Sequence, residues 1–85
     1  MTTQERITES VQRQMVQMKA LRLKPVLVIV MSGIALELRR KPEQAKGFDG
    51  TLTKEERAGG YFVGRIWGLP VYRTEREDVD PIKVF

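Results

Sequence analysis

Residues 26–31 have the sequence Val-Leu-Val-Ile-Val-Met, and this run decides the fold. Its β-branched residues favour a strand, and the lack of polar alternation predicts burial on both faces. In a chain of 85 residues, a strand covered on both faces has to lie in the interior of a sheet. We therefore expect a central strand, with the first helix on one face and another element on the other.

The segment before this strand has the pattern of an amphipathic helix. Apolar residues recur three or four positions apart and fall on one stripe: Ile7, Val11, Met15, Met18 and Leu21. Thr2 and Glu5 have the spacing of a capping box, and Pro25 disfavours helical geometry in the residue before it. The sequence thus predicts a long N-terminal helix over residues 3–23.

After the strand, the pattern predicts a short helix and then a loop. Ser32 is expected to cap a helix over residues 33–41. Residues 42–60 are rich in charge, glycine and threonine, which indicates a long surface loop. Within it, the capping-box spacing of Thr53 and Glu56 favours one helical turn.

From residue 61 onward, β-rich pieces are separated by glycines. Residues 61–72 predict an antiparallel β-hairpin, because Gly68 marks a tight reversal or a bulge. Residues 75–81 read as a charged turn, and residues 82–85 as a closing edge strand. The chain is therefore predicted to be one small α+β domain, residues 1–85, with a mostly antiparallel sheet.

The composition excludes several classes of chemistry. The sequence contains no cysteine and no histidine, so thiol nucleophiles, zinc–thiolate sites and serine–histidine mechanisms are excluded. Its longest apolar run is far shorter than the roughly 18 residues of a membrane span. We expect a cytoplasmic protein that is not an enzyme, with no cofactor, no metal and no membrane contact.

One acidic segment superficially resembles a loop for a hard cation. Residues 75–80 contain four carboxylates within six positions. Arg76 interrupts them, however, and no glycine supplies the sharp turn of a calcium loop. We interpret the segment as a solvated turn.

The hairpin concentrates aromatic and arginine side chains. Four large aromatic residues fall within 12 positions. One face of a small core cannot readily bury all four rings, so at least one is expected to be partly exposed. The candidates for binding a partner protein are Tyr61, Trp67, Tyr72, Arg65 and Arg73. Alternatively, aromatic and arginine residues on a sheet can stack nucleobases.

Charge is unevenly distributed along the chain. Residues 1–46 contain nine Lys or Arg and four Asp or Glu, a net +5, whereas residues 47–85 contain six and seven, a net −1. A basic patch facing phosphates would consist of Arg39, Arg40, Lys41 and Lys46. Ordinary solvation of a helix explains these side chains better, because the interleaved Glu37 and Glu43 weaken the local field. Any nucleic-acid binding is therefore expected to be weak and sensitive to salt.

Residues 66–85 follow a recurrent order of elements. A strand runs into the turn Trp-Gly-Leu-Pro-Val, then come an acidic turn at residues 77–80 and a closing strand at residues 82–85, all preceded by a strand–Ser–helix unit at residues 25–38. This order resembles tailed-phage capsid-type proteins and small phage-encoded structural or accessory proteins. The resemblance implies a phage or prophage accessory, assembly or structural protein, located in the host cytoplasm or the virion.

Two functions stay open at this point. The first is a protein-interaction or assembly module that forms homo-oligomers or joins a partner, through its sheet edge, its aromatic hairpin, or head-to-tail contact between the basic half and the acidic turn. The alternative is a nucleic-acid-binding module that uses the basic helix ends and the aromatic hairpin. A small enzyme would need a convergent pocket of carboxylates or lysines.

Overall fold

A computed structural model describes residues 2–85 and shows α-helices packed on a five-stranded sheet. The helices are α1 (Thr3–Ala20), α2 (Ser32–Arg40) and α3 (Lys54–Gly59), with a 3-10 turn at Pro42–Gln44. The strands are β1 (Val28–Met31), β2 (Phe48–Asp49), β3 (Phe62–Ile66), β4 (Leu69–Thr74) and β5 (Ile82–Val84). Their order is β2-β3-β4-β1-β5, and β1 pairs with β4 in parallel while the other pairs are antiparallel. The predicted α+β class is confirmed.

Strand β1 lies between β4 and β5, in the interior of the sheet as predicted. The regular strand begins at Val28 rather than Val26. Val28 and Val30 are fully buried, whereas the alternating side chains Ile29 and Met31 are only half-buried. The prediction of burial on both faces was therefore wrong, because α1 and α2 pack on the same face of the sheet.

The core lies between these two helices and one face of the sheet, which we call the core face. Its buried apolar residues are Ile7, Val11, Val28, Val30, Ala35, Leu38, Ala45, Val63, Ile66, Val71 and Val84. Burying each Val, Leu or Ile side chain stabilises the fold by about 1.5–3 kcal/mol. The helices thus cover the core face of the sheet, and the opposite face stays accessible.

Helix α1 ends earlier than predicted. Arg22 adopts a left-handed conformation, with φ 60°, and the Leu23 N–H donates to the Met18 carbonyl oxygen at 2.8 Å. These contacts form a Schellman motif that ends the helix at Ala20. Leu21 consequently leaves the predicted apolar stripe and is 71% exposed.

The helix caps predicted at Thr2 and Ser32 have different outcomes. The Thr2 side chain accepts a hydrogen bond from the Glu5 N–H at 3.2 Å, which confirms the cap of α1. The cap at Ser32 was wrong: α2 begins at Ser32 itself, after Met31. The Ser32 hydroxyl donates instead to the Thr74 carbonyl oxygen at 3.1 Å, which ties the start of α2 to the end of β4.

Residues 42–60 hold more structure than the predicted loop, since they contain β2 and α3. The capping box of α3 is confirmed, with the Glu56 N–H donating to Thr53 Oγ1 at 3.1 Å and the Thr53 N–H to Glu56 Oε1 at 2.9 Å. Gly60 follows in the left-handed conformation, with φ 77°, and ends the helix. The segment therefore places α3 directly before β3.

A two-residue turn connects β3 to β4. Trp67 and Gly68 both have positive φ, 51° and 83°, as the type I′ hairpin turn requires. The register shift in β3 falls just before Gly64, whose φ is 147°. Pro70 is tolerated in an interior strand because the β1 ladder on that side begins one residue later, at Val71.

Candidate interaction site

The sheet face opposite the core, which we call the open face, carries a row of mostly apolar side chains. Strand pairing aligns Phe62 with Tyr72, Tyr72 with Ile29, and Ile29 with Lys83. Directly paired residues project from the same side of a sheet, so these four side chains form one line, the cross-strand row. With strands about 4.8 Å apart, the row is about 14 Å long.

Phe62 and Tyr72 form the aromatic end of the row. Their ring centroids lie 5.3 Å apart with the ring planes at 68°, an edge-to-face contact. The Arg65 guanidinium lies 5.1 Å from the Phe62 ring centroid. Phe62 is only 9% exposed and Tyr72 is 37% exposed, so Tyr72 is the more accessible ring of the pair.

A groove of about 600 Å³ opens at the other end of the row. It is lined by Ile29, Thr74, Lys83 and Phe85 of the sheet side and by Arg76, Asp78, Val79 and Asp80 of the β4–β5 loop. Arg76 donates two hydrogen bonds to the Asp78 carboxylate, at 3.1 and 2.8 Å, and this contact holds the pKa of Asp78 below its usual value. Lys83 takes part in no ion pair among residues 2–85, so its charge is available at this end.

A second depression, of about 300 Å³, lies at the Phe62 end of the row. It is lined by Glu55, Glu56 and Gly59 of α3 together with Tyr61, Phe62 and Tyr72. The backbone N–H of Thr53 and, more weakly, the Arg65 guanidinium hold the pKa of Glu56 below its ordinary value. Glu55 forms no ion pair within the described part of the chain. At the Phe62 end of the open face, Glu55 thus carries an unpaired carboxylate. At the other end Lys83 carries an unpaired ammonium group, in the same groove as Asp80, which also forms no ion pair among residues 2–85.

The structure separates the aromatic residues predicted to bind a partner. Tyr72 lies within the cross-strand row, and Tyr61, 56% exposed, lines the depression beside it. Trp67 lies at the tip of the hairpin, half-buried, where its Nε1 donates to the Thr8 carbonyl oxygen of α1 at 3.3 Å. Its ring also packs against Gly47, where an added Cβ would come within 2.6 Å of the indole. Trp67 therefore anchors the hairpin to the helix layer, apart from the open face.

The two arginines of the hairpin are held by contacts within the chain. Arg65 forms an ion pair with Glu56 at 3.1 Å. Arg73 donates from Nε to the Gly60 carbonyl oxygen at 2.7 Å, and its guanidinium lies 5.0 Å from the Tyr61 ring centroid. These contacts fix the aromatic side chains and the end of α3 relative to the sheet.

The four residues of the predicted basic patch do not form one patch. Arg39 donates to the Phe62 carbonyl oxygen at 3.2 Å, and Arg40 lies 3.7 Å from a glutamate one turn earlier in α2. Arg40 and Lys41 line one shallow depression at the start of α1. Lys46 lines another, next to two glutamates of α1. The structure thus brings together only Arg40 and Lys41 of these candidates in one depression.

Sequence reasoning missed the role of Gln14, which closes the outer edge of β5. The Val84 N–H donates to Gln14 Oε1, and Gln14 Nε2 donates to the Ile82 carbonyl oxygen, both at 2.9 Å. The side-chain amide therefore bonds to the edge as a neighbouring strand would. A signal was present, since Gln14 lies three residues after Val11 and four before Met18, on the apolar stripe of α1.

No helix in residues 2–85 combines the length and the apolar character needed to cross a membrane. Over the same residues, no group of three or more potential metal-binding side chains is close enough to hold an ion. Residues 66–85 form the end of β3, the hairpin turn, β4, the loop after it and β5. No family model, curated protein or solved structure matches the chain significantly.

Proposed function

We propose that this protein is a protein-interaction or assembly module without catalytic activity, and that the open face is its binding surface. The observation that supports this most directly is the cross-strand row, which leaves Tyr72 and Ile29 accessible opposite the packed helices, with Phe85 beside them. A contiguous exposed apolar surface on a small protein commonly marks an interaction site. Tyrosine and phenylalanine are enriched in such sites.

The open face also has the rigidity that efficient binding needs. Its central residues belong to β1 and β4, which are both hydrogen-bonded on two sides. The Phe62 ring is fixed between Tyr72 and Arg65, so few side-chain rotamers remain to be ordered by a partner. A preorganised surface loses less entropy on association than a mobile one.

The resemblance of residues 66–85 to phage proteins extends the proposal to a biological setting. In that setting the module is a phage or prophage accessory or assembly protein, and its partner is another component of the same assembly. The gene neighbourhood tests this part: adjacent genes for phage structural proteins support it, and a neighbourhood without phage genes argues against it.

Site-specific photocrosslinking tests the binding surface itself. Benzoylphenylalanine is placed at Tyr72 on the open face or, as the control, at Leu36, which is 66% exposed on α2. Both proteins are first shown to melt cooperatively, then irradiated in the native host and analysed by mass spectrometry. We expect defined adducts from position 72 and none from position 36. Absence of adducts at position 72, or equal adducts at both positions, contradicts the proposal.

A further inference from the structure

We propose that the open face binds a second copy of this chain and forms a symmetric dimer. This inference rests on the proposed use of the open face, to which it adds the partner and the geometry. It is carried by the order of charge and apolar surface across the sheet.

The cross-strand row is apolar in the middle and oppositely charged at its ends. Reading across the sheet, Glu55 of α3 lies beside Phe62, and then come Tyr72, Ile29 and Lys83. Tyr72 occupies the middle position, with one apolar and one charged residue on each side. Glu55 and Lys83 both lack an ion-pair partner within residues 2–85.

One two-fold axis makes this order complementary to itself. An axis that lies between two facing sheets, parallel to β4, reverses the row of the second copy. Lys83 then meets the partner's Glu55, Ile29 meets the partner's Phe62, and Tyr72 meets its own counterpart. The two-fold axis repeats every contact except the central one between the two Tyr72 rings. The dimer therefore gains two ion pairs on either side of an apolar centre.

The alternative face-to-face arrangement is unfavourable. An axis perpendicular to the strands keeps the direction of the row, and it places Lys83 against the partner's Lys83 and Glu55 against the partner's Glu55. Like charges opposed at an interface disfavour association. The charges therefore favour the first arrangement, in which the strands of the two sheets run in nearly the same direction. The two sheets then lie about 10 Å apart.

The sheet edges offer weaker sites for a second copy. Gln14 already occupies the outer hydrogen-bonding groups of β5. At the opposite edge, β2 has only two residues, Phe48–Asp49, and short edge strands resist pairing with another chain. Association is accordingly expected through the open face and not through an extended sheet.

Complementary charge reversal tests the dimer. Wild type, Lys83→Glu, Glu55→Lys and a mixture of the two variants are compared by sedimentation from micromolar to millimolar concentration. Lys19→Glu, an exposed reversal on α1, serves as the matched control. Each open-face variant places like charges at both ion-pair positions, whereas a heterodimer of the two variants restores both attractive pairs.

We expect each single variant to dimerise roughly tenfold more weakly than wild type, and the mixture to recover wild-type affinity. The control should dimerise like wild type, and circular dichroism checks that all variants fold. A wild-type protein that stays monomeric throughout, or a mixture that is no better than the single variants, overturns the dimer. Crosslinks from position 72 to a different protein would then leave the proposed function intact, and crosslinks to nothing would remove both.

Discussion

Replacing Gln14 with Met removes both hydrogen bonds that close the β5 edge while keeping a long, flexible side chain on α1. Each intramolecular hydrogen bond contributes about 0.5–1.5 kcal/mol net, so the free energy of unfolding should fall by about 1–3 kcal/mol. For a domain of this size, a loss of about 2 kcal/mol lowers Tm by roughly 8–16 °C. The uncovered Ile82 carbonyl and Val84 N–H would also become available to another chain.

Thermal and urea denaturation followed by circular dichroism measure this loss, with Gln12→Met as the control. Gln12 is exposed on the same helix, so its replacement should change the free energy of unfolding by less than about 0.5 kcal/mol. Hydrogen exchange adds a local test, because the Val84 amide should exchange faster in Gln14→Met alone. Equal stability of the two variants, with the Val84 amide still protected, would contradict the assigned role of Gln14.

Three further predictions concern the core, α3 and nucleic acid. Val28→Asp should abolish cooperative unfolding because it buries a charge, whereas Ile29→Asp on the half-exposed side should still melt cooperatively; equal damage in a denaturation assay would contradict the two faces. The hydrogen bond from the Thr53 N–H lowers the pKa of Glu56 in the folded protein. This hydrogen bond therefore stabilises the fold above the ordinary glutamate pKa, and its stabilisation is lost as pH falls through the lowered pKa of Glu56. NMR of the α3 amides across acidic pH should therefore show the capping box opening in wild type, and an unchanged Thr53 amide would refute this. Fluorescence anisotropy with duplex and single-stranded DNA should show at most weak, salt-sensitive binding, since the four basic candidates do not form one patch, and tight binding at physiological salt would support the alternative function.

Elements with strong local signals could be predicted from the sequence. The stripe containing Ile7 and Val11, the capping box of Thr53 and Glu56, and the glycine turn at Gly68 all depend on residues that are close in the chain. Such features depend on local hydrogen bonds and on the periodicity of the side chains, so the sequence pattern alone predicts them.

The open face could not be predicted in the same way. An apolar run shows that a strand avoids water but does not show which face a helix will cover, and Ile29 looked as buried as Val28. The row itself joins residues of β3, β4, β1 and β5, and Lys83 lies beside Ile29 although 54 positions separate them. Two non-local pairings, of β1 with β4 and of β1 with β5, bring these side chains into line.

The docking of the hairpin tip on α1 gives this protein an optical probe of its own. Trp67 is the single tryptophan of the sequence, and its indole is half-buried between the Thr8 carbonyl oxygen and Gly47. Indole emission moves to longer wavelength in water, so unfolding should red-shift the fluorescence without any added label. Because Trp67 lies outside the cross-strand row, association at the open face should leave the emission wavelength unchanged. A spectrum can therefore distinguish a variant that has lost its fold from one that has lost only its partner.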